Sequence, residues 1–299
     1  MDRLEAMQIF VHVVEKGSFT AAAEHLQLHR PMATRAIQTL EQELGVRLLN
    51  RTTRKQSVTQ EGEDFYQRAV HLLSGIDDAF ASYSDLKRNA KGRLRVNVAA
   101  TIANAIIIPA LPAFQTEYPN IEVHLGVTDQ PIDMLDEGVD CVVRLGSLKD
   151  SSSVAKRIGQ IELVTCASLA YLEKNGNPST LDELRNHKAV NFASGRNRHI
   201  VDWTFNEGSE ETILKLSSAL VTDNSDAMLN CALAGLGIIQ GVKPALQPFI
   251  DSGRLIEVLP THPASSKSVA ILYPHRTHLP PKTTAFVEWL TAVIGNAQN

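Results

Sequence analysis

The segment FVHVVEKGSFTAAAEHL, residues 10–26, places two short helical patterns on either side of Gly17. Before and after this glycine, apolar residues recur at the i, i+3, i+4, i+7 spacing of one helix face. Gly17 is a typical helix terminator, and Ser18 is a good N-cap for the helix that follows. The segment therefore predicts two helices joined by a tight turn. Their apolar positions are Met7, Phe10, Val11 and Val14, then Phe19, Ala22, Ala23 and Leu26.

A third apolar stripe follows after a short turn at residues 27–29 and is closed by Gly45. The small alanines at 21–23 in the second helix allow another helix to approach closely. Two short helices joined by a tight turn have the spacing of a helix-turn-helix. The third stripe consists of Ala33, Ala36, Ile37, Leu40 and Leu44.

The outward face of this third helix favours nucleic acid as a partner. Arg30, Thr34 and Gln38 lie four residues apart, with Arg35 beside them, and the face carries no acid until Glu41. Arginine and glutamine are the side chains that pair bidentately with guanine and adenine in the major groove. The alternative is an ordinary solvated face, which more often mixes Glu with Lys.

The next stretch, GVRLLNRTTRKQSVTQEG at residues 45–62, predicts a basic hairpin. Two short strands, 48–51 and 56–59, flank the tip at 52–55, where threonine hydroxyls and cationic side chains can contact phosphates. Residues 30–59 hold six basic and two acidic residues, although the whole 299-residue chain has a net charge of −4. The basic patch is therefore local, and its position after the third helix predicts a wing.

These motifs resemble the amino-terminal winged helix-turn-helix of LysR-type transcriptional regulators. The resemblance runs through residues 10–26, RAIQTLEQELGVRLLNRTTR and SVTQEGEDFY. The family usually carries Ser-Gln before the proline of the third helix, whereas this chain has His29, Arg30 and Pro31, so its operator cannot be copied from relatives. The resemblance and the basic face together give an expected DNA-binding set of Arg30, Pro31, Thr34, Arg35, Gln38, Arg51, Thr52, Thr53, Arg54 and Lys55.

A long helix is predicted after Thr59, with apolar residues that alternate steps of four and three. Such a heptad seam favours a coiled-coil dimer, and packing within one chain is the alternative. The resemblance also implies a dimerising linker helix, and hence a homodimer or homotetramer on a two-fold related double-stranded DNA site. The seam residues are Phe65, Ala69, Leu72, Ile76, Ala79, Tyr83, Leu86 and Ala90.

The remaining residues alternate strand and helix patterns, which predicts an α/β fold with a largely parallel sheet. Here the chain resembles the effector domain of the same regulators, a two-lobed fold like that of periplasmic binding proteins. The expected domains are 1–62 for DNA binding, 63–91 for the linker helix and 92–299 for the effector domain. Lobe 1 is expected at about 92–164 and 268–299, and lobe 2 at about 165–267, with crossovers near Leu163–Cys166 and Ser268–Ile271.

The effector domain is expected to bind a small molecule, possibly an anion, between its lobes. In α/β folds ligands lie at the carboxyl ends of strands and at helix N-termini, where free N–H groups favour anions. Each candidate also fits a structural role: Thr101 as a helix cap, Arg144 as the ion-pair partner of Asp140, Arg196 as a solvated charge, and Phe192 as core. The tentative effector set is Thr101, Arg144, Phe192, Ser194, Arg196 and Asn224.

Other classes of function have little support in the sequence. GLGIIQG at residues 235–241 is only a faint nucleotide-loop pattern, so no cofactor and no enzyme activity is expected. His25 and His29 are separated by a predicted turn, which argues against a metal site. The three cysteines lie in apolar surroundings typical of buried thiols. The opening MDRLEAMQIF does not read as a secretory signal, and no stretch is suited to span a bilayer, so a cytoplasmic protein without membrane contact is expected.

Overall fold

The computed structural model describes residues 2–51, 56–81, 90–146, 154–207, 210–273 and 279–296. The chain divides into two compact units, one of Met1–Arg88 with Leu135–Gly138 and one of Asn89–Met134 with Val139–Asn299. We describe each unit by itself.

The first unit opens with three helices that end where the sequence predicts. Gly17 and Gly45 close α1 and α3 in the left-handed conformation, with φ of 63° and 70°. Ser18 caps α2 by accepting a hydrogen bond from the Ala21 N–H. The helices are α1 (Arg3–Lys16), α2 (Phe19–His25) and α3 (Arg30–Leu44).

Small side chains at the contacts of these helices let their backbones come close. Ala22, Ala23, Ala33 and Ala36 are all buried, and they surround the fully buried ring of Phe10. The predicted helix-turn-helix is therefore confirmed, with one three-helix core.

A two-stranded antiparallel hairpin follows, made of β1 (Leu49–Arg51) and β2 (Gln56–Val58). Thr59 ends it by donating its hydroxyl to the Arg47 carbonyl at 2.6 Å while accepting the Gly62 N–H at 2.9 Å. The second bond is an N-cap for α4 (Gln60–Ala81), as the sequence predicts.

The first residues of the heptad seam pack against α1 of the same chain. For these residues the prediction of a dimer contact is wrong. Phe65 contacts the Phe10 ring at a centroid distance of 5.5 Å, and Ala69 is buried against Val11 of α1. Further along α4, Leu72 is 56% exposed. Of the later seam positions, Tyr83 and Leu86 lie outside the described residues, and Ala90 is buried in the core of the second unit, so it does not continue a dimer seam.

The first lobe of the second unit is built on a five-stranded sheet of order β4-β3-β5-β15-β6. Its strands β3, β4 and β5 run parallel, while β15 runs antiparallel to both β5 and β6. Phe114 and Phe286, both fully buried, pack edge to face between the helices that cover it. The elements are β3 (Gly92–Val98), α5 (Ala100–Ile102), a π-helical turn (Ala103–Ile107), α6 (Ile108–Glu117), β4 (Ile121–Val127), β5 (Cys141–Leu145), β6 (Val154–Ile161), β15 (Lys267–Tyr273) and α11 (Pro281–Asn296).

The second lobe combines two three-stranded sheets, β13-β7-β14 and β12-β8-β9, with the hairpin β10-β11. Trp203 and Asn191 join two of these layers through a buried side-chain hydrogen bond of 2.9 Å. The elements are β7 (Leu163–Ala167), α7 (Leu169–Asn175), α8 (Leu181–Leu184), β8 (Ala189–Ser194), β9 (His199–Ile200), β10 (Trp203–Glu207), β11 (Glu210–Leu214), β12 (Ser218–Thr222), α9 (Ser225–Leu233), β13 (Ile239–Val242), α10 (Lys243–Asp251) and β14 (Ile256–Glu257).

The five-stranded sheet is mixed and the β13-β7-β14 sheet is antiparallel, whereas the strand-helix alternation predicts a largely parallel sheet. The reason is that the chain passes between lobes twice, and a returning strand enters the first sheet in the opposite direction. The first passage lies between β6 and β7, and the second precedes β15, since Ala264 still bridges to Phe205 of the second lobe. Both passages lie a few residues before the expected positions.

Gly62 tests how tightly the hairpin packs on α4. A Cβ at this position would overlap the Leu48 carbonyl oxygen and crowd the Val58 side chain. We expect Gly62→Ala to lower the free energy of unfolding of the first unit by about 1–3 kcal/mol, as overpacking does. Urea titration followed by circular dichroism measures it.

The matched control is Gly75→Ala in the same helix, where an added Cβ meets no atom within 4 Å. Alanine favours helix over glycine, so this change is expected to be neutral or to stabilise by up to about 1 kcal/mol. Equal stability of the two variants would show that the hairpin does not press on Gly62.

Candidate nucleic-acid interface and ligand cavity

The outward face of α3 is open to a partner. Arg30, Pro31, Arg35 and Gln38 are exposed, and Thr34 is half-buried. The opposite face carries the buried stripe of the three-helix core. His29 stands at the N-cap and makes no capping bond with its side chain, while its backbone carbonyl accepts the Met32 N–H at 2.8 Å.

Glu41 ties the wing to α3. One oxygen of its carboxylate, Oε1, accepts the Leu48 N–H at 2.9 Å and the Leu49 N–H at 3.2 Å. These bonds fix the start of β1 relative to the helix that carries Arg30 and Gln38. These bonds could not be predicted from the sequence, because the residues are seven and eight positions apart and across a turn.

The tip of the wing is not described. Thr52, Thr53, Arg54 and Lys55 lie outside the described residues, and Arg51 is described only through its backbone pairing with Gln56. Their expected contact with DNA stays a prediction.

A cavity of about 450 Å³ lies between the two lobes of the second unit. It collects four of the six residues proposed from the sequence: Thr101, Arg144, Phe192 and Ser194 line it. Asn224 is not among the lining residues. Its side chain instead caps α9 by accepting the Ala227 N–H at 2.8 Å. Arg196 also lies away from the cavity wall, on an exposed turn.

Arg144 is held in place by oxygens of its own lobe. Its guanidinium donates to the Asn97 side-chain oxygen at 2.7 Å, the Val143 carbonyl at 2.9 Å and the Gln130 carbonyl at 3.1 Å. These acceptors are uncharged, and they fix the orientation of the guanidinium. Asp140, the partner considered from the sequence, instead contacts Lys282 at 3.3 Å.

Three charged residues of the wall, Asp129, Asp202 and Lys267, were missed by the sequence analysis. Asp129 follows β4 directly, so the rule that ligands lie at the carboxyl ends of strands applies to it as it does to Thr101. Lys267 stands at the opposite, amino-terminal end of β15, where that rule gives no signal. Burial lowers the pKa of Lys267, and the field of Glu211 acts in the opposite direction.

The wall between these charges is largely apolar. Phe192, Trp203 and Met228 contribute side chains from the second lobe, together with Leu163, Val190, Val201 and Val242. A cavity of this size and character suits a small molecule with an apolar body and few polar groups.

The sequence of the chain matches two protein-family models. Residues 4–63 match the helix-turn-helix of bacterial regulatory proteins of the lysR family, and residues 87–295 match the LysR substrate binding domain. The chain belongs to the LysR family of bacterial transcriptional regulators. It is a DNA-binding regulator, not an enzyme, with a domain that binds a small-molecule effector.

Relatives of this LysR regulator match along nearly the whole chain. The HTH-type transcriptional regulator YhjC of Escherichia coli is 35% identical over 294 residues, 98% of each chain. A transcriptional repressor of Pseudomonas aeruginosa is 36% identical over 97% of this chain and 92% of its own. Among solved structures, CrgA from Neisseria meningitidis aligns with a TM-score of 0.60 at 27% identity, covering 99% of both chains.

Chemistry outside these two sites is limited in the described part of the LysR regulator. Cys141 and Cys166 are buried, and burial raises the pKa of both thiols, to about 12 for Cys166. Within the described residues, no three His, Cys, Asp or Glu side chains are grouped to hold a metal ion. No described helix combines the length and the apolar character that crossing a membrane requires.

Proposed function

We propose that a small anionic effector binds in the cavity of the second unit and controls how this LysR regulator occupies its operator. The observation that carries the proposal is the half-buried ammonium of Lys267 in the cavity wall. A charge withdrawn from water in this way gains most from an oppositely charged partner. Arg144 adds a second positive charge to the same wall.

The proposed effector contacts are Thr101, Arg144, Phe192 and Ser194, with Lys267 added. Arg196 and Asn224 are left out, because neither lines the cavity. The apolar side chains of the second lobe would cover the body of the effector, while its anionic group would face Lys267.

For DNA we propose that α3 enters the major groove and that the wing contacts the backbone. The exposed side chains of Arg30, Arg35 and Gln38 support the first part. The wing bonds to Glu41 support the second, since they keep the hairpin beside the helix. The proposed contacts of the wing remain Arg51, Thr52, Thr53, Arg54 and Lys55.

Arg30 gives the test of sequence reading. Because arginine pairs with guanine and glutamine with adenine, Arg30→Gln is expected to change the preferred base in each half-site from guanine to adenine. The expected discrimination is about 1–3 kcal/mol at that base pair. Selection from a randomised operator library, repeated for wild type and variant, measures it. An equal loss of affinity at all bases would instead make Arg30 a phosphate contact.

We further propose that the exposed part of α4 dimerises. Leu72 is 56% exposed on the face that continues the seam, and a buried charge there would lack a partner. Ile76→Asp is therefore expected to give a smaller species in sedimentation and weaker operator binding. Gln67→Asp, on another face of the same helix, is the control. A variant at Ile76 that sediments like wild type would show that this helix is not the dimer contact.

The charge of the effector is tested with ligand pairs. In a thermal-shift screen, aliphatic and aromatic carboxylates are compared with their neutral primary amides. We expect stabilisation by carboxylates only, lost in Lys267→Met but kept in Lys156→Met, an exposed lysine on the neighbouring strand β6. Preference for the amides would contradict an anionic effector.

The same interaction sets a pH dependence. Binding of an anion requires the charged form of Lys267, whose pKa is lowered by burial. Carboxylate affinity is therefore expected to fall as pH rises through that lowered pKa, below the range in which an ordinary lysine titrates. Titration calorimetry across alkaline pH measures this, and Lys267→Arg should extend binding to higher pH.

A further inference from the structure

The carboxylate of Asp129 bonds both lobes of the second unit. Its Oδ1 accepts the Ala100 N–H at 2.9 Å, at the start of the helical segment that follows β3 in the first lobe. Its Oδ2 accepts both the N–H and the hydroxyl of Ser225 at 2.7 Å, at the first turn of α9 in the second lobe. Residues 129 and 225 are 96 positions apart in sequence, so only the folded arrangement joins them.

These contacts are of the strong kind. Hydrogen bonds to an ionised acceptor are shorter and stronger than neutral ones, and the distances of 2.7 Å agree with that class. Both amides also lie at helix starts, where the peptide dipoles favour a negative charge. Ser225 is buried, so these bonds are shielded from water.

The loop that carries Asp129 is itself fixed. Arg144 donates to the Gln130 carbonyl at 3.1 Å, and the Gln130 N–H donates to the Thr128 hydroxyl at 3.1 Å. The Gln130 side chain then reaches across to the Asp223 carbonyl at 3.2 Å. A third contact between the lobes, from Asn104 to Asp226 at 3.3 Å, lies beside it.

We propose that Asp129 is the clamp that holds the two lobes closed over the cavity. Separating the lobes requires that Oδ2 release Ser225, whereas the bond from Ala100 stays intact within the first lobe. A ligand in the cavity contacts both lobes and so favours the same closed arrangement that Asp129 supports. The more Asp129 stabilises the closed lobes before an effector binds, the less the equilibrium between open and closed lobes shifts on binding.

The clamp also determines where an effector's anionic group can go. Asp129 occupies the Ala100 N–H, at the start of the helical segment that carries Thr101, and its own charge repels a second carboxylate. The effector anion is thereby directed to Lys267, on β15. This consequence rests on the proposed function; the clamp itself does not.

Hydrogen exchange of the full-length protein without ligand tests the clamp. In Asp129→Ala, the amides at residues 224–229 and 99–103 are expected to exchange about tenfold faster or more. In each segment one amide loses its bond to the charged carboxylate, and the neighbouring amides lose the anchor of their helical turn. Amides of the five-stranded sheet should keep wild-type rates. The control is Asp202→Ala, which removes another carboxylate of the same cavity wall.

Two further variants keep the test decisive should Asp129→Ala fold poorly. Asp129→Asn retains an acceptor oxygen without the charge, and Ser225→Ala removes one of the three donors, so both are expected to show smaller accelerations confined to the same segments. In the double variant the Ser225→Ala effect should disappear, because its partner is gone. Wild-type exchange in all Asp129 variants, or additive effects in the double variant, would overturn the clamp. Since no ligand is used, this result is independent of whether a carboxylate effector is found.

Discussion

The return of the chain from the second lobe into the middle of the first sheet is the constraint on which the effector domain depends. Strand β15 pairs antiparallel with β5 on one side and β6 on the other, and without it the sheet would fall into two pieces. Val269 and Ile271, both fully buried, supply its core contacts. The chain therefore connects the two lobes twice, and the cavity lies between the lobes.

The parts of the molecule that the sequence predicts well are those decided by neighbours along the chain. Gly17 and Gly45 end their helices because they adopt positive φ, and Ser18 caps α2 through a bond to a residue three positions on. Thr59 caps α4 in the same local way. Among the cavity residues, Thr101 is found because apolar alternation shows where its strand ends, and Arg144 because it ends a short buried apolar run.

The parts that the sequence does not predict depend on residues brought together from far apart. The role of Asp129 depends on its bond to Ser225. The position of Lys267 depends on the direction of β15, which only the second passage between lobes explains. The seam of α4 shows a different limit. Over two turns, a repeat of 3.5 residues and one of 3.6 differ by only about 20°, so Phe65 and Ala69 fit either a partner helix or their own α1.

The bonds from Glu41 to the amides of Leu48 and Leu49 hold the hairpin in one position relative to α3. In the DNA complex proposed above, a helix that contacts bases and a hairpin that contacts phosphates would otherwise each take its own best position along the duplex. Here the carboxylate on one fixes the backbone of the other. Sliding α3 by one base pair would carry the wing the same 3.4 Å or so along the backbone. In that complex, the groove contacts of α3 and the backbone contacts of the hairpin would therefore shift together. A DNA site that suits only one of the two elements would gain nothing from a separate movement of the other.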